Sequence, residues 1–309
     1  MGRVDVKDYM KIPLLTILLL LSCFLSAQAQ LDMVQAVNES DYGMVRTNLA
    51  LSYDRAFGSV PDNVSARVSY QIVKKPFLTF SANARFNTLW ANFDSSQLSK
   101  PLNAWDIGLD GNHTYGSFGF TATGFLPLFG KPLALLAVGN AEWSNHCFGR
   151  ISGLIGGVYL FKLSKDTQFG VGPLFMINTA SKIPVFPVVV YRHRFSDRFA
   201  INVYGGLFGM EYKPDENNML TFGADLDVRS FYFKPHVEGW PDKCRFTMTS
   251  LRPALKFKHR FFKNFYGEAQ AGVSFKISGR VSGVTGKARY LEFEEKPSFF
   301  LKATVSYSL

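Results

Sequence analysis

The chain has 309 residues, a formal net charge of +10, and an aromatic content that includes 30 phenylalanines and 13 tyrosines. Its three cysteines have no Cys-x-x-Cys spacing and no histidine or cysteine at the distance of a zinc ligand, which excludes a zinc motif. The positive charge would suit a nucleic-acid-binding protein. The N-terminal segment, however, predicts export from the cytoplasm, and we therefore do not expect nucleic acid as a partner.

The first 29 residues predict a cleaved signal peptide. Lys11 precedes an apolar run that ends in small residues and an Ala-x-Ala cleavage site before Gln30. Two alternatives stay open. One is a transmembrane anchor, although the run is shorter than the roughly 20 apolar residues that an anchor requires. The other is a lipoprotein with Cys23 as the acylated residue. Residues 30–309 are predicted to be one domain.

Alternation of apolar and polar residues with a period of two recurs along the mature chain. In residues 64–72 the apolar side chains alternate with a polar set that includes Arg67, and in residues 78–87 with a set that includes Arg85. This alternation is typical of strands with one apolar and one polar face, and amphipathic helical periodicity is nearly absent. In chain order the predicted strands are 47–55, 64–72, 78–87, 103–111, 115–126, 132–143, 149–163, 167–178, 184–195, 198–207, 218–235, 247–260, 264–277 and 299–309.

These segments fit either a soluble β-sandwich or a membrane barrel. Several are ten or more residues long, about the length that a tilted strand needs to cross a bilayer, whereas soluble strands have a mode of about 5–6 residues. In lipid every backbone N–H and C=O group must be paired within the sheet, so a spanning sheet has to close. We therefore expect an all-β fold, a closed antiparallel transmembrane β-barrel of about 12–14 strands in the cell outer membrane. The aromatic residues expected to contribute to its interfacial belts are Trp90, Trp105, Trp143, Trp240, Tyr53, Tyr70, Tyr159, Tyr191 and Tyr307.

The last predicted strand reads FFLKATVSYSL and has no polar tail. We interpret it as the strand that closes the barrel against the first one, with its apolar side chains toward lipid. The strand resembles the C-terminal assembly signal of Gram-negative outer-membrane β-barrels, with leucine where phenylalanine is usual in the last position. That resemblance implies outer-membrane lipid and the barrel assembly machinery as partners. Its expected lipid-facing residues are Phe299, Leu301, Val305, Tyr307 and Leu309.

The central stretch TQFGVGPLFMINTASKIPVFPVVVYRHRFSDRFAINVYGG, residues 167–206, resembles a family of exported, porin-like outer-membrane barrels of unknown function. The resemblance extends over most of the mature chain and implies fold and location, but no activity. One feature conflicts with it. Short turns of such barrels share one end, yet counting every predicted strand once puts FSDR and FFKN at opposite ends. A strand is therefore wrongly split or merged between residues 100 and 240.

Strand alternation places a predominantly basic set of side chains on the inward faces. A basic ring in a narrow pore favours anions, because the low-dielectric wall focuses its field. In the alternative interpretation the same cations pair with inward acids, fill the lumen and brace the wall. The predicted lumen residues are the basic Arg67, Arg85, Arg192, Arg194, Arg252, Lys256, Lys258 and Lys276 and the acidic Asp225, Asp227 and Glu268.

We accordingly expect a passive, porin-like channel for small anionic solutes, with no catalytic residue, cofactor or metal. The sequence contains no phosphate-binding glycine loop, His-Glu-x-x-His motif or nucleophile elbow. Two alternatives stay open: a non-conducting barrel that binds a partner or supports the envelope, and a lipid hydrolase in which His193 meets a serine of a neighbouring strand. Cys147 and Cys244 are predicted to be either two thiols or one disulfide.

Overall fold

A computed structural model of the protein describes residues 48–57, 62–75, 77–93, 98–99, 104, 106–144, 148–177, 185–204, 207–284, 289–293 and 296–308. The predicted signal peptide, Trp105, Cys147 and Leu309 lie outside these residues. Among the described residues, no helix is long and apolar enough to cross a membrane.

The described residues form fifteen β-strands. They are β1 (Asn48–Phe57), β2 (Asp62–Lys75), β3 (Leu78–Ala91), β4 (Gly111–Leu128), β5 (Lys131–Ser144), β6 (Phe148–Leu163), β7 (Thr167–Ile177), β8 (Val185–Arg194), β9 (Phe199–Tyr204), β10 (Leu207–Tyr212), β11 (Asn218–Phe233), β12 (Cys244–Phe262), β13 (Phe265–Gly283), β14 (Arg289–Glu292) and β15 (Ser298–Ser308).

Fourteen of these strands form a closed antiparallel ring. Each strand from β1 to β13 pairs with the next, β13 also pairs with β15, and β15 pairs with β1. The short β14 pairs with β13 and is not part of the ring. Closure leaves no open sheet edge whose N–H and C=O groups would face lipid. The predicted all-β closed barrel of about 12–14 strands is confirmed.

The seam of the ring lies between the first and last strands, as predicted. The pairing of β1 with β15 runs over the whole of β1, from Asn48↔Ser308 to Phe57↔Phe299. The other edge of β15 pairs with β13 from Phe265↔Tyr307 to Ser274↔Ser298. Because both edges of β15 are hydrogen-bonded, the C-terminal strand belongs fully to the wall.

The ring has two different ends. The short-turn end carries the connections 76–77, 129–130, 164–166, 195–198, 213–217 and 263–264. The opposite, long-loop end carries the three longest connections, 92–110, 234–243 and the segment between β13 and β15. In bacterial outer-membrane barrels the short turns are periplasmic and the long loops extracellular. FSDR and FFKN both lie at the short-turn end, so the conflict in the predicted topology disappears.

Two errors in the predicted strands caused that conflict. The predicted strand 103–111 is wrong: the Leu109 N–H bonds to the Ala104 carbonyl in a turn, and Gly108 has a φ of 77°, which an extended strand does not adopt. The predicted strand 198–207 merges β9 with the first residue of β10, so β10 is missed. Counting the false strand reverses the predicted direction of every later strand. Omitting β10 reverses the direction once more, so the predicted directions are correct again from β11 onward.

The outer face of the ring is apolar. Along β1, Leu49, Leu51 and Tyr53 are exposed, whereas Asp54 and Ala56 point inward and are buried. The same alternation follows the other strands, and the exposed apolar side chains form a continuous surface that a soluble protein does not tolerate at this size. Because hydrocarbon removes the cost of exposing that surface, the barrel is a transmembrane one.

The aromatic residues of the predicted belts divide between this surface and the loops. Trp90 and Trp143 are exposed on the outer side near the long-loop end. Trp240 instead packs against Tyr290 within the loops, with ring centroids 5.1 Å apart, and so does not face lipid. The belt prediction is wrong at Trp240, because a loop tryptophan shows no strand alternation that would place it.

The two faces of β15 allow a direct test. We expect Ala303→Lys, on the lipid side near the middle of the strand, to lower the free energy of unfolding by about 2–4 kcal/mol, because it places a charge in hydrocarbon. The adjacent Thr304→Lys, on the lumen side, is the matched control and should change that free energy by less than about 0.5 kcal/mol. Urea titration of the vesicle-inserted protein, read by the heat-modifiable shift on a gel, measures both. Equal losses would contradict the assignment of faces.

Candidate functional site

The upper part of the β11–β12 hairpin bends into the barrel. Within the described residues, β10 pairs with β11 only from Gly209↔Gly223 to Tyr212↔Leu220, so the rest of β11 has β12 as its strand neighbour. Freed from the wall on that edge, residues 229–233 of β11 reach β4 and β5 on the opposite side of the lumen, and residues 244–250 of β12 accompany them, paired with β11 on one edge and with β13 on the other. We call these residues the flap; nearly all of them are buried.

One face of the flap packs into an apolar cluster at the long-loop end, which we call the plug. Phe231 stacks on His113 of β4 with ring centroids 3.8 Å apart and on Phe246 at 4.8 Å. The plug thereby fills the lumen beneath the long loops. Its buried residues are Ala56, Leu89, Ala91, Phe93, Leu98, Ala104, Ile107, Leu109, Tyr115, Phe231, Tyr232, Phe233, Cys244, Phe246, Met248, Ala254, Val281, Leu291, Phe293 and Phe300.

Hydrogen bonds fix the loops that complete the plug. The Phe93 N–H donates to Asp110 Oδ1 at 2.7 Å, and His113 Nε2 lies 2.9 Å from the Leu109 carbonyl oxygen. Burial raises the pKa of the Asp110 carboxyl above its ordinary value, although the bond from Phe93 acts in the opposite direction. Lys276, a predicted lumen cation, donates to the Phe293 carbonyl and therefore belongs to the plug. Cys244 is buried here as a free thiol.

The other face of the flap is held by polar contacts with β5 and β6. The Tyr232 hydroxyl donates to Glu142 Oε2 at 2.7 Å, and Arg150 Nε lies 3.2 Å from the same oxygen. Ser144 Oγ donates to the Tyr232 carbonyl at 3.0 Å, and the guanidinium of Arg245 lies 5.8 Å from the centre of the Tyr232 ring. These contacts hold the flap against the inner faces of β5 and β6 and oppose its movement out of the lumen.

Beneath the plug, four charged side chains form an ion-pair network across the lumen. Asp54 of β1 lies 2.8 Å from Arg229 Nη2 and 2.7 Å from Arg252 Nη1. Asp227 lies 2.8 Å from Arg229 Nε and 3.2 Å from Arg252 Nη2. Since β1 is adjacent to neither β11 nor β12 in the ring, the Asp54 contacts pass through the interior. Two carboxylates balance two guanidiniums, so the cross-lumen network adds no net charge.

Two more ion pairs lie on the inner wall. Lys256 Nζ is 2.6 Å from Asp225 Oδ2, which also accepts a bond from Gln270 Nε2 at 3.0 Å. Arg192 Nη2 is 3.4 Å from Glu211 Oε2. Together with the cross-lumen network, these contacts show that several of the predicted lumen cations have acid partners.

The remaining predicted cations lie at different heights. Arg67 and Arg85 are directly opposite each other on the inner faces of β2 and β3. Lys258 stands opposite Glu268 in the register of β12 and β13, with its Nζ 4.8 Å from the centre of the Tyr266 ring. Arg194 ends β8 at the short-turn end. The predicted cations therefore do not form one ring. On the C-terminal strand, Phe299, Leu301, Val305 and Tyr307 are exposed on the outer side.

Sequence reasoning missed several members of these networks. Arg229 follows Asp225 and Asp227 at intervals of two, so strand alternation was sufficient to place it on their face. Asp54 alternates with exposed apolar residues and was equally recognisable. The tertiary partner of Glu142 was not, because Tyr232 reaches it only through the inward bend of the flap.

The inner wall of β5–β8 is apolar at mid-height. Val138, Leu154, Leu174 and Val188 point inward and form a second buried cluster, and Leu154 is 0% exposed. Charged side chains lie on either side of this cluster, with Glu142 and Arg150 toward the long-loop end and Arg192 toward the short-turn end.

The structure pairs the candidate histidine of the hydrolase alternative with a threonine of the neighbouring strand. His193 Nδ1 is 2.9 Å from Thr167 Oγ1, and its ring meets Phe195 edge-on at 4.5 Å. In the same residues, no group of histidine, cysteine, aspartate and glutamate side chains is placed to hold a metal ion.

Solved structures with a similar fold are outer-membrane β-barrels. An outer membrane channel from Pseudomonas putida F1 is 11% identical, with 86% of this chain and 96% of that one covered and a TM-score of 0.44. The Pseudomonas putida toluene transporter TodX is 11% identical, with 91% and 93% covered and a TM-score of 0.39. The KdgM porin, in complex with oligogalacturonate, is 8% identical, with 85% and 99% covered and a TM-score of 0.34. No protein-family model and no curated protein matches the sequence.

Proposed function

We propose that this barrel is a porin-like channel of the outer membrane with a preference for small anionic solutes, and that the flap closes its long-loop end in the conformation described. The observation that supports the preference is an excess of positive charge on the inner wall. Among the described residues, the inward cations include Arg67, Arg85, Arg150, Arg192, Arg194, Arg229, Arg245, Arg252, Lys256, Lys258, Arg260, Lys276 and Lys302, and the inward acids include Asp54, Glu142, Glu211, Asp225, Asp227 and Glu268.

The pair Arg67 and Arg85 is the strongest candidate for the position at which anions are selected. Their strands are adjacent and their Cα atoms are partners in the register, so two positive side chains face the lumen together. Two positive side chains at the same height attract a small anion in the lumen. The surrounding low-dielectric wall strengthens the attraction. Arg252 is buried in the cross-lumen network and is better explained as a structural residue.

Ion selectivity tests the proposal. We expect Arg67→Glu/Arg85→Glu to convert anion preference into cation preference, with the permeability ratio changing by about tenfold or more. The measurement is the reversal potential of open-channel currents across a salt gradient in planar bilayers. Lys75→Glu/Lys162→Glu makes the same change in net charge outside the lumen, since Lys75 is the register partner of the lipid-facing Leu78 and Lys162 that of Phe169, and should leave the preference in place. An unchanged reversal potential in the arginine variant would contradict the anion pathway.

A non-conducting barrel is the second candidate function. The plug and the cross-lumen network favour it, because both fill the interior and tie its walls together. Conductance separates the two candidates: a non-conducting barrel remains silent even when substitutions release the flap and the protein stays folded.

A further inference from the structure

The six short turns share a feature that channel function does not explain. Each has an exposed aromatic residue within four positions of a lysine or arginine in the sequence. The strongest case is the β4–β5 turn, in which Phe129 precedes Lys131, and the Lys131 Nζ donates to the Phe161 carbonyl of a neighbouring turn. In chain order the pairs are Phe77 with Lys75, Phe129 with Lys131, Phe161 with Lys165, Phe195 with Arg198, Tyr212 with Lys213, and Phe262 with Lys263.

Phe129 indicates the environment of the six short turns, which together we call the short-turn rim. Its φ is 49° and that of Gly130 is 76°, the geometry of a two-residue hairpin turn that favours asparagine followed by glycine. A phenylalanine at positive φ is uncommon and strained. Its side chain is also 91% exposed, so no packing within the described chain repays that strain. Strained residues often lie at functional sites. An apolar environment outside the protein would bury this ring and offset the strain.

The exposed charge of the rim is predominantly positive. The salt bridges of the described residues nearest this end join Arg192 to Glu211 and Lys256 to Asp225, and neither includes an exposed lysine of the turns. These lysines are therefore available to an external anion. The exposed cations at this end are Lys74, Lys75, Lys131, Lys162, Lys165, Arg198 and Lys263, and the exposed acids are Asp166, Asp197, Asp215 and Glu216.

The long-loop end differs from this rim in its charge. Its described residues include exposed acids that match the exposed cations in number, and its exposed tryptophans, Trp90 and Trp143, have no such repeated cation beside them. The exposed charges at this end are Arg55, Lys234, Lys243 and Lys296 with Asp106, Glu238, Asp242 and Glu292.

We propose that the short-turn rim is a binding surface for the headgroups of anionic phospholipids. The cations bind the phosphates, and the aromatic rings enter the boundary between headgroups and acyl chains, where aromatic side chains are most stable. The repetition around the whole circumference favours a bilayer over an acidic protein, since a protein partner would occupy one sector of the rim. The rim thus selects lipid in the leaflet that meets the short turns.

Lipid selectivity of the full mature chain tests the proposal. The protein is reconstituted in phosphatidylcholine, and spin-labelled phosphatidylglycerol and phosphatidylcholine are compared by electron spin resonance for their association with the barrel. We expect a preference of about threefold or more for the anionic lipid, and its near loss in the variant Lys75→Gln/Lys131→Gln/Lys165→Gln/Lys263→Gln, which removes one exposed cation from each of four turns.

The matched control removes the same charge from the other end. Arg55→Gln/Lys234→Gln/Lys243→Gln/Lys296→Gln should retain the preference. A loss of equal size in both variants would mean that net charge alone attracts the lipid and would overturn the proposal. So would an unchanged preference in the short-turn variant, the outcome expected if these lysines serve an acidic soluble partner.

The placement of Phe129 supplies a second, independent readout. In a Cys147→Ser background, a fluorophore attached at Phe129→Cys should be protected from acrylamide in vesicles, whereas one at Glu216→Cys in the exposed β10–β11 turn should be quenched. Equal quenching at the two positions would show that the ring does not enter the membrane boundary. This result does not depend on conduction, so it is separable from the channel proposal.

Discussion

The variant Phe231→Ala/Phe246→Ala is expected to open the channel. In bilayers it should give discrete conductance steps with a high open probability, whereas the unaltered barrel should be mostly closed. The two rings stack on each other at the centre of the plug, and both are fully buried. Removing a buried phenylalanine costs about 3–5 kcal/mol, and about 5.5 kcal/mol is enough to take a two-state equilibrium from 1:99 to 99:1.

The two substitutions raise the free energy of the closed conformation and not that of the open one, because the rest of the wall does not depend on these rings. The flap has a free edge where β10 ends, and its other edge stays paired with β13 from Cys244↔Gly283 to Ser250↔Lys276, so it can leave the lumen together with the upper part of β13. Phe222→Ala/Phe257→Ala removes two rings from the outer faces of the same two strands and is the matched control. It should conduct no more than the unaltered protein. A plug variant that is folded by its gel shift, yet silent, would contradict the gated channel and favour the non-conducting barrel.

Strand alternation was sufficient to predict the class of the fold because each strand contributes its own local signal. The outer faces of β1 and β15, and the seam between them, follow from residues that lie two apart. The false strand at 103–111 and the missed β10 show where that signal fails. The loop before β4 contains apolar residues that belong to the plug, and they imitate a strand, while β9 and β10 are only 6 residues each and are joined by two residues.

The flap could not be predicted from the sequence for a different reason. Residues 229–233 continue the alternation of β11 without a break, and nothing local marks the point at which the strand leaves the wall. The bend follows from the short neighbour β10, which is a property of the sheet. The same holds for the lumen charges: alternation gives their face, but the contact between Asp54 and Arg229 joins strands that are far apart in the ring.

The cross-lumen network yields the largest expected effect on stability. Asp54→Asn should lower the free energy of unfolding by about 3–5 kcal/mol, because it leaves two buried guanidiniums with one carboxylate. Urea titration of the vesicle-inserted protein measures the loss. Asp197→Asn removes an exposed acid from a turn and should change the free energy by less than about 0.5 kcal/mol.

A double-mutant cycle shows whether the loss belongs to the network. In Arg229→Gln/Asp54→Asn the two losses should not add, because the second substitution removes a cation that the first has left uncompensated, and a coupling of about 0.5–3 kcal/mol is typical of residues in one network. Additive losses would mean that Asp54 and Arg229 act independently, although they lie 2.8 Å apart. The pair joins β1, beside the seam, to β11, from which the flap departs. Coupling between them would therefore show that the closure of the ring and the position of the flap are stabilised by the same contact.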